Sequence, residues 1–168
     1  MKCSNTFKTA LSAAIVGFLA LGLATTPAFA TAITTTFNVT ASVATNCTVS
    51  ATALAFGSYT GAVNNAQSAV TVTCTNGTGY TVGLDAGLST GATVTTRKMA
   101  ITQPAGALNY SLYSDSTRAT NWGNTTGSWV SGTGSGSAQA LPVYGQIPAA
   151  QFVTPGSYTD TITATVTY

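Results

Sequence analysis

The stretch TAITTTFNVTASVATNC, residues 31–47, has apolar side chains on alternate positions. Threonine, serine and asparagine stand between them, so an extended chain has one apolar face and one polar face. This pattern predicts a β-strand whose apolar face is buried against a sheet. The apolar residues are Ile33, Phe37, Val39, Ala41 and Val43. Many domains have only a loose tail at this place, and the stretch itself leaves open which sheet the strand joins.

The first 30 residues have the three parts of a secretory signal peptide. Lys2 and Lys8 form a charged start, residues 11–23 form an apolar run, and Pro27 breaks the chain before Ala28-Phe29-Ala30. A membrane anchor needs about 20 consecutive apolar residues, which is longer than this run. We therefore expect cleavage after Ala30 and no stable membrane insertion of the remaining chain.

Cleavage would leave 138 of the 168 residues, which suffices for one domain. Three basic residues and three acidic residues balance in this part: Arg97, Lys98, Arg118, Asp85, Asp115 and Asp160. A neutral chain lacks the basic surface that would bind nucleic acids or anionic membranes. We therefore expect neither of them among its partners.

Two cysteines follow the predicted cleavage point, Cys47 and Cys74. In an exported chain, such an even pair is typical of a disulfide. A disulfide that encloses the 26 residues between them would raise the free energy of unfolding by roughly 3–4 kcal/mol in the chain-entropy model. A metal site is the alternative, but two cysteines without any histidine or glutamate do not complete a tetrahedral shell of the usual ligands.

Short runs rich in threonine and valine follow, separated by glycine, asparagine, proline and serine. Because no helical period of useful length occurs after position 30, the pattern predicts an all-β antiparallel sandwich or barrel. We interpret residues 127–137, which are mostly glycine and serine, as a flexible surface loop. The predicted strands after the opening stretch cover residues 48–56, 69–75, 80–85, 98–102, 109–114, 139–146 and 158–168.

Residues suited to catalysis are scarce after position 30. Acid–base chemistry would depend on three scattered aspartates, and no imidazole is available to activate a serine. The glycine-rich segments lack the lysine of a phosphate-binding loop. We therefore predict that the protein is not an enzyme and has no catalytic, metal or cofactor site.

A few other residues are candidates for structural or binding roles. The spacing of Asp115 and Arg118 predicts a turn held by a structural charge pair. Asp160 is a candidate partner for Arg97 or Lys98. Two tryptophans are candidates for stacking on a sugar or a flat surface, although packing in a core or loop is the more common role. They are Trp122 and Trp129.

Five short motifs, in this order, resemble the spore coat protein U domain, which is shared with subunits of archaic chaperone–usher pili of Gram-negative bacteria. The resemblance covers essentially the whole chain after the signal peptide, and the cysteine pair adds to its specificity. The loop after Trp122 departs from it by being richer in glycine and serine. The motifs are Phe56-Gly57, Tyr110-Ser-Leu-Tyr-Ser-Asp115, Trp122-Gly123, Pro142-Val-Tyr-Gly-Gln-Ile147 and Gly156-Ser-Tyr-Thr-Asp-Thr-Ile162.

This resemblance implies an incomplete immunoglobulin-like antiparallel β-sandwich that lacks its final strand and has a hydrophobic groove in its place. In such pilins a periplasmic chaperone lends a strand to the groove. At the outer-membrane usher, the N-terminal extension of the next subunit replaces that strand. Residues 31–46 would then be the donor-strand extension, and residues 47–168 the pilin domain. The side chains entering the neighbour's groove would be Ile33, Phe37, Val39, Ala41 and Val43.

The resemblance also implies a role for the C-terminal run, residues 158–168, in which apolar residues alternate with threonines. The apolar residues of this run would form the edge of the groove and face the chaperone. The implied partners are the chaperone, the usher and neighbouring subunits in a head-to-tail polymer, after export through the periplasm to the cell surface. The alternating residues are Ile162, Ala164, Val166 and Tyr168.

Three functions are compatible with these features. The first is a pilin subunit of a surface fibre that serves adhesion or biofilm formation. The second is a secreted coat protein of resting cells, built on the same domain. The third is a self-contained surface-binding module that uses Trp122, Trp129 and Tyr113.

Overall fold

The computed structural model describes residues 29–103 and 105–168. The predicted signal peptide, apart from its last two residues, lies outside this part of the chain. None of the described residues belongs to a helix that is long and apolar enough to cross a bilayer. The chain divides into two units, Met1–Thr40 and Ala41–Tyr168. In the first unit, residues 29–40 are exposed and belong to no strand.

The second unit is an all-β structure of two antiparallel sheets. The larger sheet has the strand order β1-β2-β7-β5-β4, and the smaller sheet has the order β6-β3-β8. The strands in the described residues are β1 (Cys47–Ala51), β2 (Asn64–Cys74), β3 (Gly79–Leu84), β4 (Arg97–Ile101), β5 (Gly106–Tyr113), β6 (Val130–Thr133), β7 (Gln139–Ile147) and β8 (Ala164–Thr167).

Alternating side chains explain why these runs are strands and which face each one buries. In β2 the buried residues are Val70, Val72 and Cys74, with half-exposed residues between them. Strand β7 buries alternate residues in the same way, and β5 buries Leu108, Tyr110 and Leu112 on one face and Ser111 on the other. Since successive side chains point to opposite faces of a sheet, each strand contributes one row to the interior.

The core lies between the two sheets and contains residues from both. Trp122 is fully buried, and its indole Nε1 donates a hydrogen bond of 2.8 Å to the carbonyl of Val82. A buried indole N–H without a partner would be costly, so this bond accounts for the position of the ring. The buried apolar residues are Val70, Val72, Cys74, Tyr80, Val82, Leu84, Leu108, Tyr110, Leu112, Trp122, Val143 and Ile147.

The expectation of a flexible loop over residues 127–137 is wrong for residues 130–133, which form β6 and pair with β3. The glycines there allow close packing. A Cβ on Gly132 would lie 2.5 Å from Cζ of Tyr80, and a Cβ on Gly134 would overlap the carbonyl oxygen of Thr75, just after β2. Glycine in a strand often marks such a close approach.

Two predicted strands are shorter in the structure than in the sequence pattern. The run at residues 48–56 is a strand only to Ala51, and the run at residues 158–168 is a strand only from Ala164 to Thr167. Strand assignment requires a hydrogen-bonded neighbour. Beyond Ala51 one further backbone bond joins Thr52 to Ala69, and before Ala164 an isolated bridge joins Thr159 to Ala100.

Candidate functional site

An open groove runs between the chain that follows β1 and the chain that precedes β8. β1 is the outer strand of the larger sheet and β8 is the outer strand of the smaller sheet; they neighbour each other without a ladder of hydrogen bonds. We call residues 51–58 the first wall and residues 158–164 the second wall. Two adjoining hollows of about 540 Å³ and 730 Å³ make up the groove.

The floor of the groove comes from both sheets; it is mainly apolar in the smaller hollow, whereas the lining of the larger hollow is mixed polar and apolar. Both hollows are lined by Leu54, Phe56, Met99 and Tyr158, so they form one continuous depression. The deeper residues of the smaller hollow are buried core side chains, so the groove leads directly to the core. They are Val70, Leu84, Tyr110, Leu112 and Val143.

The first wall places two side chains over a glycine of β7. A Cβ at Gly145 would lie 2.8 Å from Phe56 Cζ and 3.0 Å from both Cδ atoms of Leu54. The absence of a side chain at Gly145 therefore lets Leu54 and Phe56 lie against the sheet. Both are partly buried and pack against the core. In the sequence, Phe56-Gly57 served only as a family motif. The alternation of residues 48–56 predicted a strand and did not indicate a groove wall.

The second wall contains part of the predicted C-terminal edge. Ile162 and Ala164 line the groove, and Val166 packs partly buried against the core. Tyr168 is 56% exposed. The structure therefore brings Ile162 and Ala164 to the groove, while their role toward a chaperone stays a prediction.

The predicted donor residues are exposed. Ile33 is 94% exposed and Phe37 is 84% exposed, and Val39, Ala41 and Val43 are exposed as well. Residues 31–46 belong to no strand. An exposed row of large apolar side chains at alternate positions is unusual for a stable surface and indicates an interaction site.

The predicted disulfide between Cys47 and Cys74 is confirmed. The two cysteines face each other in the antiparallel register of β1 and β2, with their Cα atoms 4.1 Å apart. Cys47 is the first residue of β1. The bond therefore joins the start of an edge strand to β2, which pairs with β7 along most of its length.

The predicted charge pair of Asp115 and Arg118 takes a different form. The Asp115 carboxylate accepts hydrogen bonds from the Thr117 hydroxyl and from the backbone N–H groups of Thr120 and Ala119, and these bonds lower its pKa. The Arg118 guanidinium instead lies over the ring of Tyr144 and donates to backbone carbonyls. A carboxylate whose oxygens are already occupied by the turn's own donors has less need of a cation.

Arg97 is buried, and its guanidinium donates to four backbone carbonyls. Nε donates to Asp85, Nη1 to Val94, and Nη2 to both Leu84 and Trp122, over 2.7–3.1 Å. Burial lowers the pKa of Arg97 below its ordinary value. The sequence indicated only a charge, so this role depended on the tertiary structure.

Asp160 does not pair directly with Arg97 or Lys98, as the sequence had suggested, because Tyr110 takes that place. The Tyr110 hydroxyl donates a hydrogen bond of 2.7 Å to Asp160 Oδ2. Burial, together with this bond, raises the pKa of Tyr110. A rare carboxylate inside an apolar alternating run was the sequence signal that could have identified this contact.

Trp122, one residue of the predicted surface-binding module, is fully buried, and this contradicts a stacking role for it. Trp129 is partly exposed, at 37%. The third residue of that module, Tyr113, lies in β5 opposite Tyr144 of β7. A self-contained binding module that depends on Trp122 is therefore not supported.

Comparisons with known proteins match this fold. The model of the spore coat protein U domain matches residues 33–165. Protein U of Myxococcus xanthus is 35% identical over 180 aligned positions, which cover 98% of this chain and 99% of that protein.

A solved structure is also similar: a chain in the crystal structure of the CsuC–CsuE chaperone–tip adhesion subunit pre-assembly complex from archaic chaperone–usher Csu pili of Acinetobacter baumannii. The TM-score is 0.58 at 23% identity, over 75% of this chain and 40% of that chain. This likeness concerns the fold, and it agrees with the predicted antiparallel sandwich. The match to the domain model and the identity to Protein U show that the chain belongs to the spore coat protein U domain family.

Proposed function

We propose that this protein is an exported structural subunit that polymerises head to tail, with residues 31–46 of one copy filling the groove of the next. The observation that carries the proposal is that one chain contains both complementary parts: an exposed alternating apolar segment and an open apolar groove. Two different surfaces that complement each other between copies generate an open chain of subunits.

The donor segment and the groove walls have comparable numbers of residues. From Ile33 to Val43 an extended strand spans about 33 Å, at roughly 3.3 Å per residue. The groove is lined by residues 51–61 on one side and by residues 151–162 and 164 on the other, so each side has at least as many residues as the segment from Ile33 to Val43. A strand entering there would lie beside the open edges of β1 and β8.

Burial of the donor side chains would supply a large favourable contribution to binding. Burying a large apolar side chain contributes about 1.5–3 kcal/mol, so Ile33, Phe37, Val39 and Val43 would supply roughly 6–12 kcal/mol by area. An unfilled groove is an exposed apolar surface beside unpaired strand edges, which favours aggregation. This explains why a chaperone that covers the groove before assembly would be needed.

The proposed route is export through the periplasm of a Gram-negative bacterium, capture by a pilus chaperone and assembly at an outer-membrane usher. The structural similarity to a chain of a chaperone–tip subunit complex supports a chaperone as partner. The expected product is a surface fibre that serves adhesion or biofilm formation.

A secreted coat protein is the second candidate. The 35% identity to Protein U across nearly the whole chain favours it, since the shared domain is named after the spore coat. Electron microscopy of the assembled material distinguishes the two candidates, because a pilus subunit gives separate thin fibres and a coat subunit gives a continuous layer around the cell.

Phe37→Asp tests the strand-donation model. A carboxylate at Phe37 would have to enter an apolar groove without a partner, so we expect polymer formation to be lost while folding and chaperone capture persist. Size-exclusion chromatography of assembled material measures the polymer. Asn38→Asp is the matched control, since it adds the same charge on the opposite face of the strand and should leave assembly intact. Normal polymers from Phe37→Asp would refute the donor assignment.

A further inference from the structure

Tyr110 connects the floor of the groove to both walls. Its ring, buried in β5, meets the ring of Phe56 from the first wall edge to face, with centroids 6.0 Å apart. Its hydroxyl donates the 2.7 Å hydrogen bond to Asp160 in the second wall. The two walls therefore have a common contact at the bottom of the groove.

Two carboxylates join the second wall to the loop after β3. Asp160 Oδ1 accepts a hydrogen bond of 3.0 Å from the N–H of Leu88. Asp85 Oδ1 accepts hydrogen bonds of 3.0 Å from the N–H groups of Thr163 and Gly87. Two of these hydrogen bonds, from Leu88 to Asp160 and from Thr163 to Asp85, connect the loop at residues 85–88 to the second wall at residues 160–163.

Gly87 is the residue that makes room for this contact. Its φ is +84°, a conformation that side chains other than glycine rarely adopt. A Cβ at this position would overlap the Asp160 carboxylate. The loop after β3 is therefore shaped to approach Asp160 closely.

Charge is concentrated here although the chain has little of it. Of the six charged residues after position 30, three lie at this crossing: Asp85, Arg97 and Asp160. Arg97 Nε donates to the carbonyl of Asp85, so the buried cation holds the backbone of the same residue whose carboxylate binds the second wall. Of the three, Arg97 is buried and its guanidinium nitrogens all have carbonyl acceptors, whereas Asp85 and Asp160 are half-buried.

Backbone pairing gives the second wall little support of its own. Before β8 begins, the backbone hydrogen bonding of the second wall consists of the Ala100–Thr159 bridge and one hydrogen bond from the Asp85 N–H to the Thr163 carbonyl. An open apolar groove would gain free energy by closing its walls together and removing apolar surface from water. Something must therefore hold the second wall away from the first.

We propose that Asp160 and Asp85 are positioning residues for strand binding: with Tyr110 and Gly87 they hold the second wall at the separation from the first wall that admits a donor strand. This inference rests on the proposed function and assigns the groove a built-in support. The bound segment is that of a second copy of this chain, residues 31–46.

The test uses the full chain after residue 30 with Phe37→Asp and Val39→Asp, so that it accepts a strand and does not donate one. A fluorescent peptide of residues 31–46 is the probe, and its anisotropy gives the dissociation constant. Thermal unfolding of the same protein without peptide gives its stability. Binding to the unsubstituted groove is expected. No binding there would overturn both the proposed function and this inference.

Asp160→Asn is then introduced into this acceptor protein. The asparagine amide has the size of the carboxylate but lacks its charge and one of its two acceptor oxygens. We expect the peptide to bind about tenfold to a hundredfold more weakly. Gly87→Ala should weaken binding similarly, although it removes no hydrogen-bonding group. Tyr110→Phe, which retains the ring and both carboxylates, is the variant to use if either of these does not fold.

Asp115→Asn is the matched control. It makes the same chemical change in an exposed turn outside the groove linings, so it should leave the dissociation constant within twofold even if unfolding shifts. The inference is overturned if the Asp160, Gly87 or Tyr110 variants, once folded, bind within twofold of the unsubstituted groove. It is also overturned if Asp115→Asn weakens binding as much as they do. In either case the proposed function would still stand, since the unsubstituted groove would have bound the peptide.

Discussion

At the scale of single residues, Arg97 is a buried cation whose partners are four backbone carbonyls from three segments. Arg97→Lys keeps the charge but offers one compact ammonium group in place of a planar fork of donors. Several buried carbonyls would lose their partner, and we expect the free energy of unfolding to fall by about 3 kcal/mol or more. Urea unfolding measures this. Arg118→Lys is the control, because that guanidinium is only half-buried and its two hydrogen bonds to carbonyls are 3.3 Å long, so its exchange should cost less than about 1 kcal/mol. A loss below 1 kcal/mol for Arg97→Lys would contradict the structural role given to the fork.

At the scale of elements, β1 is a five-residue edge strand that the disulfide joins to β2. Reducing the bond should lower the free energy of unfolding by roughly 3–4 kcal/mol in the chain-entropy model, because the enclosed chain regains freedom when unfolded. Urea unfolding with and without reductant measures the difference. A protein with Cys47→Ser and Cys74→Ser together should resemble the reduced protein and show no response to reductant. If reduction shifts the unfolding free energy by less than about 1 kcal/mol, then β1 is held mainly by its ladder and packing.

At the scale of the whole molecule, the titrating groups are few, since the chain has three aspartates, no glutamate and no histidine. Burial alone would raise the pKa of Asp85, but hydrogen bonds from Thr163 and Gly87, with nearby Arg97, lower it below 3.8. The pKa of Asp115 is lowered as well. A carboxyl with a lowered pKa binds its proton more tightly in the unfolded chain, so it stabilises the fold above about pH 4 and this stabilisation is lost as the pH falls further.

Tyr110 has the opposite sign: its pKa rises from 10.0 on folding, so its contribution is complete below pH 10 and is lost above it. We expect the unfolding midpoint to be constant between about pH 5 and 9, to fall below this range as the aspartates are protonated, and to fall above about pH 10 as Tyr110 ionises. A steep change near pH 6 would contradict this account. Asp115→Asn should reduce the acid-side slope.

The β-strands show how far local pattern extends. Strands β2, β3, β4, β5 and β7 overlap predicted runs, because alternation of side chains is a property of neighbouring residues. β6 was missed because the glycines and serines of residues 127–137 resemble a loop, and the approach of Tyr80 explains the one glycine within the strand, Gly132. The runs at residues 48–56 and 158–168 were predicted too long for the complementary reason: alternation indicates a buried face, whereas a strand also needs a hydrogen-bonded neighbour.

By itself, the sequence determined the all-β class, the disulfide and the position of the alternating apolar segment at residues 33–43. These depend on side-chain period, cysteine number and composition, which are local or additive properties. Only the tertiary structure decided that Trp122 and Arg97 are buried and that Asp160 bonds to Tyr110, 50 residues away in the chain. The groove also belongs to this second group, since its walls and floor come from both sheets and from segments more than 90 residues apart. A contact between distant segments depends on how the whole chain packs, and no short stretch of sequence contains that information.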